Sequence, residues 1–174
     1  MKSVILTNEQ GESLGKSEII EAHTEGGKLH KAFSVFIFTP DKQKILIQRR
    51  ASLKMLFPGF WANTCCSHPK GKFDIEIEAS DRLKEECGFR TGLEVVDSFI
   101  YKADDPEGRG TEYEYDTVLI GTIDEATEIA PDPSEIMDIK WITIDELKKD
   151  MEENPDSYAP WFSKGLEMIL NSKK

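Results

Sequence analysis

Apolar and polar positions along this chain fall into short runs with two periods. Residues 3–7 and 31–38 are rich in β-branched and aromatic side chains, and the apolar run Phe36 to Phe38 is closed by the turn signal Thr39-Pro40-Asp41. Ile45-Leu46-Ile47 follows at once, which predicts a hairpin that delivers Arg49 and Arg50 at its far end, at a sheet edge or mouth. From Asp74 to Cys87 the period lengthens: Ile75, Ala79, Leu83 and Cys87 recur at helical spacing, and Gly88 stands where a helix would stop. Glu78, Arg82, Glu85 and Glu86 line the other face of that helix, a pattern that a solvated, salt-bridged surface also produces.

Two further strands are predicted at residues 93–101 and 112–122. The turn-rich segment Asp104-Asp105-Pro106-Glu107-Gly108 separates them, so they should pair. The strand period of two places Glu112, Glu114 and Asp116 on one face and Tyr113 and Tyr115 on the other, and an exposed acidic face is the simplest reading. After Pro131-Asp132-Pro133, residues 139–144 read as a last strand. Asp145 is expected to cap a short helix through Lys149, and residues 157–171 read as a final helix. Strands and helices are mixed rather than alternating. The expected fold class is therefore α+β, a single domain over residues 1–174 with a mixed sheet flanked by helices.

Composition narrows the function. At 174 residues the chain can bury a core without disulfides, and 39% hydrophobic content excludes a disordered polyelectrolyte. No basic-then-apolar leader and no bilayer-length apolar stretch is present, so a soluble cytoplasmic protein without membrane contact is expected. Cys65, Cys66 and Cys87 are odd in number and two are adjacent, which predicts reduced thiols. A net charge of −11 excludes a nucleic-acid surface. An anionic ligand would need a local basic patch, for which Arg49, Arg50, Lys54, Lys70 and Lys72 are candidates; taken alone, a solvated basic loop is the simpler reading of them.

The three histidines, His23, His30 and His68, all stand beside polar or turn residues. With Glu112 and Glu114 they would make an N3O2 site suited to Mn²⁺ or Zn²⁺ more than to Ca²⁺, while their spacing alone also fits unliganded surface histidines. The segment Asn63-Thr64-Cys65-Cys66-Ser67-His68-Pro69 places a thiol near such a site. Basic neighbours could lower a thiol pKa from about 8.5 toward neutrality for proton transfer at carbon. Zinc ligation by Cys-x-His and a buried thiol stay open on the residues alone.

The stretches Ala22-His23-Thr24 with Leu29-His30, the run from Pro58-Gly59-Phe60-Trp61-Ala62 through Ser67-His68-Pro69, Glu112-Tyr113-Glu114 and Pro160-Trp161 resemble the type 1 isopentenyl-diphosphate isomerases of the Nudix superfamily, in order and over nearly the whole chain. The Trp-x-Asn-x-x-Cys-x-His-Pro segment is the most specific part. The resemblance implies interconversion of isopentenyl and dimethylallyl diphosphates in isoprenoid precursor biosynthesis, on a Nudix-like domain acting as a monomer or weak homodimer. It implies that His23, His30, His68, Glu112 and Glu114 hold one divalent metal. Cys66 is the implied catalytic thiol, Tyr101 hydrogen-bonds the catalytic Glu114, and Trp161 covers the reacting carbons. Glu86, with Cys66 beside it, matches the site of a second ion, Mg²⁺, while Arg50, Lys54 and Arg82 match residues that contact the diphosphate.

The Nudix box itself is matched only in its tail, Glu85-Glu86-Cys87-Gly88-Phe89. Ser67, Phe73, Asp81 and Arg82 stand where a pyrophosphate hydrolase would show Gly, Glu, Arg and Glu, a degeneracy that isomerases of the family share. Ile19 occupies the place of a diphosphate-binding lysine, with Lys16 as a candidate substitute. The rival readings are a Nudix hydrolase of another diphosphate and a metal-binding module without catalysis.

Overall fold

Ala32 to Phe38 is buried without interruption, and this run organises the architecture. It belongs to β3 (His30–Phe38) in a computed structural model that describes residues 2–172. Before it come β1 (Ser3–Thr7), β2 (Ser13–Glu18) and α1 (Ile19–His23). After it come β4 (Lys44–Arg50), β5 (Trp61–Ala62), β6 (Cys65–Ser67), α2 (Ile75–Cys87), β7 (Glu94–Asp104), β8 (Thr111–Thr122), β9 (Ile136–Thr143), α3 (Ile144–Glu153) and α4 (Pro160–Asn171).

Phe33, Val35 and Ile37 of β3 pack with Ala79, Leu83 and Cys87 of α2, while Phe36 and Phe38 pack with Phe162, Leu166 and Ile169 of α4. A strand covered on both faces has no polar alternation to show, which is why β3 reads as a continuous apolar run. β8 lies parallel to β3 from His30↔Glu114 to Phe38↔Thr122, and β7 is antiparallel to β8. β1, β4 and β6 pair antiparallel with β3, and β5 and β9 with β4. The result is the expected α+β arrangement, a mixed sheet between helices.

α2 ends as its spacing predicts: Gly88 takes a left-handed φ of 88° and returns its N–H to Lys84 O. α4 buries Trp161, Phe162, Gly165, Leu166 and Ile169, one helical face. A Cβ at Gly165 would come within 2.7 Å of Phe36 Cζ, so glycine there lets the helix sit against β3.

The sequence expectations need correction at several ends. β9 starts at Ile136 rather than 139, and α4 starts at Pro160 after a 3₁₀ turn at Pro155–Ser157, where the missing proline N–H costs nothing. Thr143, not Asp145, caps α3: its hydroxyl accepts the Glu146 N–H while the Glu146 carboxylate accepts the Thr143 N–H, a reciprocal capping box. Among the described residues no helix is long and apolar enough to cross a membrane.

Candidate active site

His23 ends α1, His30 opens β3, His68 follows β6, and Glu112 and Glu114 stand on β8. One donor atom from each of the five lies within 4.8 Å of every other. The β3–β8 register sets His30 opposite Glu114, so Glu114 Oε1 meets His30 Nε2 at 3.5 Å and His68 Nε2 at 3.1 Å. His30 and His68 bring their Nε2 atoms within 3.2 Å, and His23 Nε2 meets Glu112 Oε2 at 3.0 Å. His23 Nδ1 lies 2.6 Å from Ile19 O, and His30 Nδ1 lies 2.7 Å from Lys28 O. A carbonyl only accepts, so both Nδ1 atoms carry the proton and both Nε2 lone pairs point into the cluster. Glu112 Oε2 is buried and finds no partner of hydrogen-bonding geometry. Two imidazoles prepared as acceptors, the Nε2 of His68 beside them and an orphaned carboxylate oxygen are a donor set that fits a divalent transition metal.

A carbonyl of the site's own helix is tied to this arrangement. Gly110, at φ 156°, packs so closely on His23 that a Cβ there would collide with the His23 carbonyl oxygen. Ile19, the residue at the expected lysine position, contributes its carbonyl to His23, and Lys16 is exposed on β2.

The acidic face of β8 is not solvent-exposed: Glu112, Glu114 and Asp116 are 7%, 8% and 1% accessible. Burial would raise the Glu114 carboxyl, but the adjoining His30 and His68 rings outweigh it and hold it well below the usual carboxylate range. Burial, then the charge of Glu114, pushes Asp116 well up, and Ser34 donates its hydroxyl to Asp116 Oδ2 at 2.7 Å. Tyr101 stands directly opposite Glu114 in the β7–β8 ladder and donates to Glu114 Oε2 at 2.5 Å. Glu114 thus turns one oxygen to the histidines and the other to a phenol.

Asn63, given no role by sequence, joins the remaining residues. It is fully buried; its Oδ1 accepts both the Cys66 thiol at 2.9 Å and the Trp161 indole N–H at 3.1 Å. Its Nδ2 donates to Val35 O and Cys65 O, which fixes the amide's orientation. The Trp161 ring centroid lies 5.7 Å from that of Tyr101 and 5.6 Å from that of Phe57. Cys66, Asn63, Trp161, Tyr101 and Glu114 therefore form one connected wall. The two adjacent cysteines diverge as strand geometry requires: Cys65 is fully buried on the α2 side, and Cys66 is partly exposed on the other. The expected lowering of the Cys66 pKa is reversed, since burial pushes the thiol up to about 12 against the opposing charge of Arg50.

Of the basic residues, Arg50 is not at an open mouth. It is 6% accessible, donates from Nε to Phe57 O and from Nη2 to Leu56 O, and sets its guanidinium 5.2 Å from the Trp161 ring centroid. Arg49 points the other way, is exposed and donates to Gly59 O. Arg82 donates to Glu86 Oε1 at 2.6 Å, Glu85 Oε2 at 2.8 Å and Glu135 Oε1 at 2.6 Å, and Lys54 donates to Glu135 Oε2 at 2.6 Å. Glu86 is 1% accessible, and its burial raises its carboxyl despite Arg82.

Glu78, expected on a solvated helix face, instead accepts the backbone N–H groups of Lys70, Gly71, Lys72 and Phe73, the segment just after His68. Burial would raise its carboxyl, but these four donors lower it below the ordinary 4.5. A depressed folded-state pKa contributes stability that is present above the unfolded value and lost as pH falls through the folded one. Glu78→Gln is therefore expected to lower the melting temperature at pH 7 by about 2–4 °C, the shift that ~1 kcal/mol produces in a domain of this size. Calorimetry should show the gap to the unsubstituted protein closing as the pH drops below 4.5. A gap that is constant with pH would show that the charge on Glu78 contributes nothing.

The family described as NUDIX domain matches residues 28–162. A Nocardia farcinica protein described as isopentenyl-diphosphate Delta-isomerase is 41% identical over 165 residues, covering 95% of this chain and 93% of its own length. One of the same description from Halorhodospira halophila is 42% identical over 167 residues, covering 96% and 94%. A crystal structure of a Deinococcus radiodurans protein superposes with a TM-score of 0.70 at 16% identity, covering 97% of this chain and 98% of its own. A MutT protein from Methanosarcina mazei gives 0.64 at 13% identity, covering 84% and 96%. These two likenesses are of fold.

Proposed function

We propose, for a chain that belongs to the Nudix family and within it to the isopentenyl-diphosphate Delta-isomerases, that it interconverts isopentenyl and dimethylallyl diphosphates. The observation that carries this reading is the divided use of Glu114, whose Oε1 faces His30 and His68 while Oε2 accepts from Tyr101. A carboxylate oriented on both sides in this way is suited to exchange a proton with carbon.

The reaction adds a proton to one end of an unactivated alkene, passes through a tertiary carbocation and removes a proton from the other side, so no net proton is consumed. In this reading Cys66 and the Glu114–Tyr101 pair are the two proton-handling groups, and they exchange roles with the direction of reaction. Cys66 holds its proton at Sγ, directed to Asn63 Oδ1. Trp161 offers a π face that attracts a cation by ~2 kcal/mol when water is excluded. His23, His30, His68, Glu112 and Glu114 would hold Mn²⁺ or Zn²⁺, which when bound tunes and orients Glu114. Glu86 and Cys66 would hold Mg²⁺ at the diphosphate, with Arg50, Lys54 and Arg82 neutralising the remaining charge. The enzyme is read as cytoplasmic, a single domain over residues 1–174, monomeric or weakly dimeric. The competing hydrolase reading is disfavoured by Arg82, which stands at a carboxylate position of the box and binds Glu85 and Glu86.

The direct experiment is incubation of the purified protein with isopentenyl diphosphate and Mg²⁺. Dimethylallyl diphosphate should accumulate to an equilibrium mixture; release of inorganic phosphate or pyrophosphate without it would instead support a hydrolase. His68→Ala is expected to lose most of the tightly bound metal, because one donor of the set is gone and its carboxylates are left unpaired. Elemental analysis after chelation and dialysis checks this, and retention at unsubstituted stoichiometry would refute the ligand assignment.

A further inference from the structure

Lys54 and Arg82, the two basic side chains proposed for the diphosphate that are joined to each other, are joined through a third residue. Glu135 immediately precedes β9; its N–H donates to Asp132 O and its carbonyl accepts from Ala51 N, so its backbone is held from both sides. Its carboxylate is split between the two cations, Oε1 on Arg82 and Oε2 on Lys54, each at 2.6 Å. The side chain is 16% accessible, between Glu86 at 1% and Glu85 at 52%.

All three nitrogens of the Arg82 guanidinium are engaged by carboxylates, from Nε to Glu86, Nη1 to Glu85 and Nη2 to Glu135. Three carboxylates therefore surround two cations, and an arriving diphosphate would meet a cluster whose formal charge is already negative. Guanidinium and ammonium donors bind carboxylate and phosphate oxygens with the same geometry. Of the three carboxylates, Glu135 is the one that bridges both cations. It also has enough access to solvent to move away, whereas Glu86 is enclosed and Glu85 pairs with Arg82 from an exposed position.

We propose that Glu135 is a positioning residue that occupies the place of a phosphate between Lys54 and Arg82, keeping both cations in register until diphosphate displaces it. The inference rests on the reading of Lys54 and Arg82 as diphosphate-binding residues. Lys54 and Arg82 bring positive charge and Glu135 an internal competitor, so substrate affinity is set below what the cations alone would give. Charge repulsion between Glu135 and phosphate oxygens falls off over a few ångströms and is strong in this half-buried setting.

The test is calorimetric binding of inorganic pyrophosphate, without added Mg²⁺, to the full chain and its variants. Glu135→Gln keeps size and removes the charge, and should tighten pyrophosphate binding by about tenfold. The KM for isopentenyl diphosphate should fall in parallel. Glu135→Asp keeps the charge and should stay within about threefold of the unsubstituted protein, a difference that corresponds to little binding energy. Glu135→Met, uncharged and of similar length, reads the same way where the amide variant is unstable. A brace without a competing role predicts a lower melting temperature with unchanged or weaker pyrophosphate binding, and that result in a folded, uncharged variant overturns the proposal. Arg82→Met separates the premise from the inference: if it binds pyrophosphate as tightly as the unsubstituted protein, the diphosphate assignment itself fails.

Discussion

Replacing Cys66 by Ala is expected to lower the turnover of isopentenyl diphosphate by about 10³-fold, within the 10²–10⁴ range that one positioned acid or base supplies. Cys65→Ala should leave turnover nearly intact. The contrast follows from burial. The Cys65 side chain is fully enclosed beside Val35 and Leu46 on the α2 side of the sheet, whereas Cys66 reaches the wall that holds Asn63, Trp161 and Tyr101. Cys65→Ala should cost on the order of 1 kcal/mol, the usual size of a small core deletion. Steady-state kinetics on both variants, with melts to establish folding, decide the matter. Equal losses of turnover in two folded proteins would end the assignment of one catalytic thiol.

Trp161→Leu is expected to lower kcat and kcat/KM together by about 30-fold, the equivalent of the ~2 kcal/mol that an enclosed cation–π contact supplies. A face that attracts charge present only near the transition state should not alter substrate binding. Trp161→Phe should be intermediate. Packing also has a claim on this residue: the indole is 3% accessible, donates to Asn63, and contacts Phe57 and Tyr101. A fall in melting temperature is therefore expected alongside the kinetic loss. The two roles separate when turnover is measured well below the melting transition, and a destabilised but fully active Trp161→Leu would leave packing as the whole explanation.

The legibility of this fold follows from where each element buries its side chains. β3 and α2 were readable because burial on two faces and on one helical face leaves a clear pattern. β2 is mostly exposed and carries Ser, Gly, Lys and Glu, so no period marks it; α1, β5 and β6 are too short to show one. Asp145 looked like a cap by residue type, but the reciprocal bonds of Thr143 and Glu146 place the boundary two residues earlier.

In the site, residue types were legible and pairings were not. The period of two put Glu112, Glu114 and Asp116 together, yet whether that face was wet or dry depended on the parallel docking of β8 on β3. Asn63 lay inside the most specific motif, where an amide two residues after a Trp and three before a Cys was the available signal. Glu135 had none, since its partners Lys54 and Arg82 are distant in sequence. The Cys66 expectation counted neighbouring positive charge and omitted burial, which dominates.

The parallel ladder between β3 and β8 also bears on how the chain reaches this state. Parallel strands cannot be joined by a tight turn, and here α2 and the β6–β7 region intervene, so the pairing must wait for distant segments to meet. His30 and Glu114 face each other only once that ladder has formed. A chain with every helix and hairpin in place but β8 undocked would have its metal donors scattered. An ion bound to the completed set would therefore select one topology among all compact arrangements, acting as a latch whose strength rises with metal concentration by mass action.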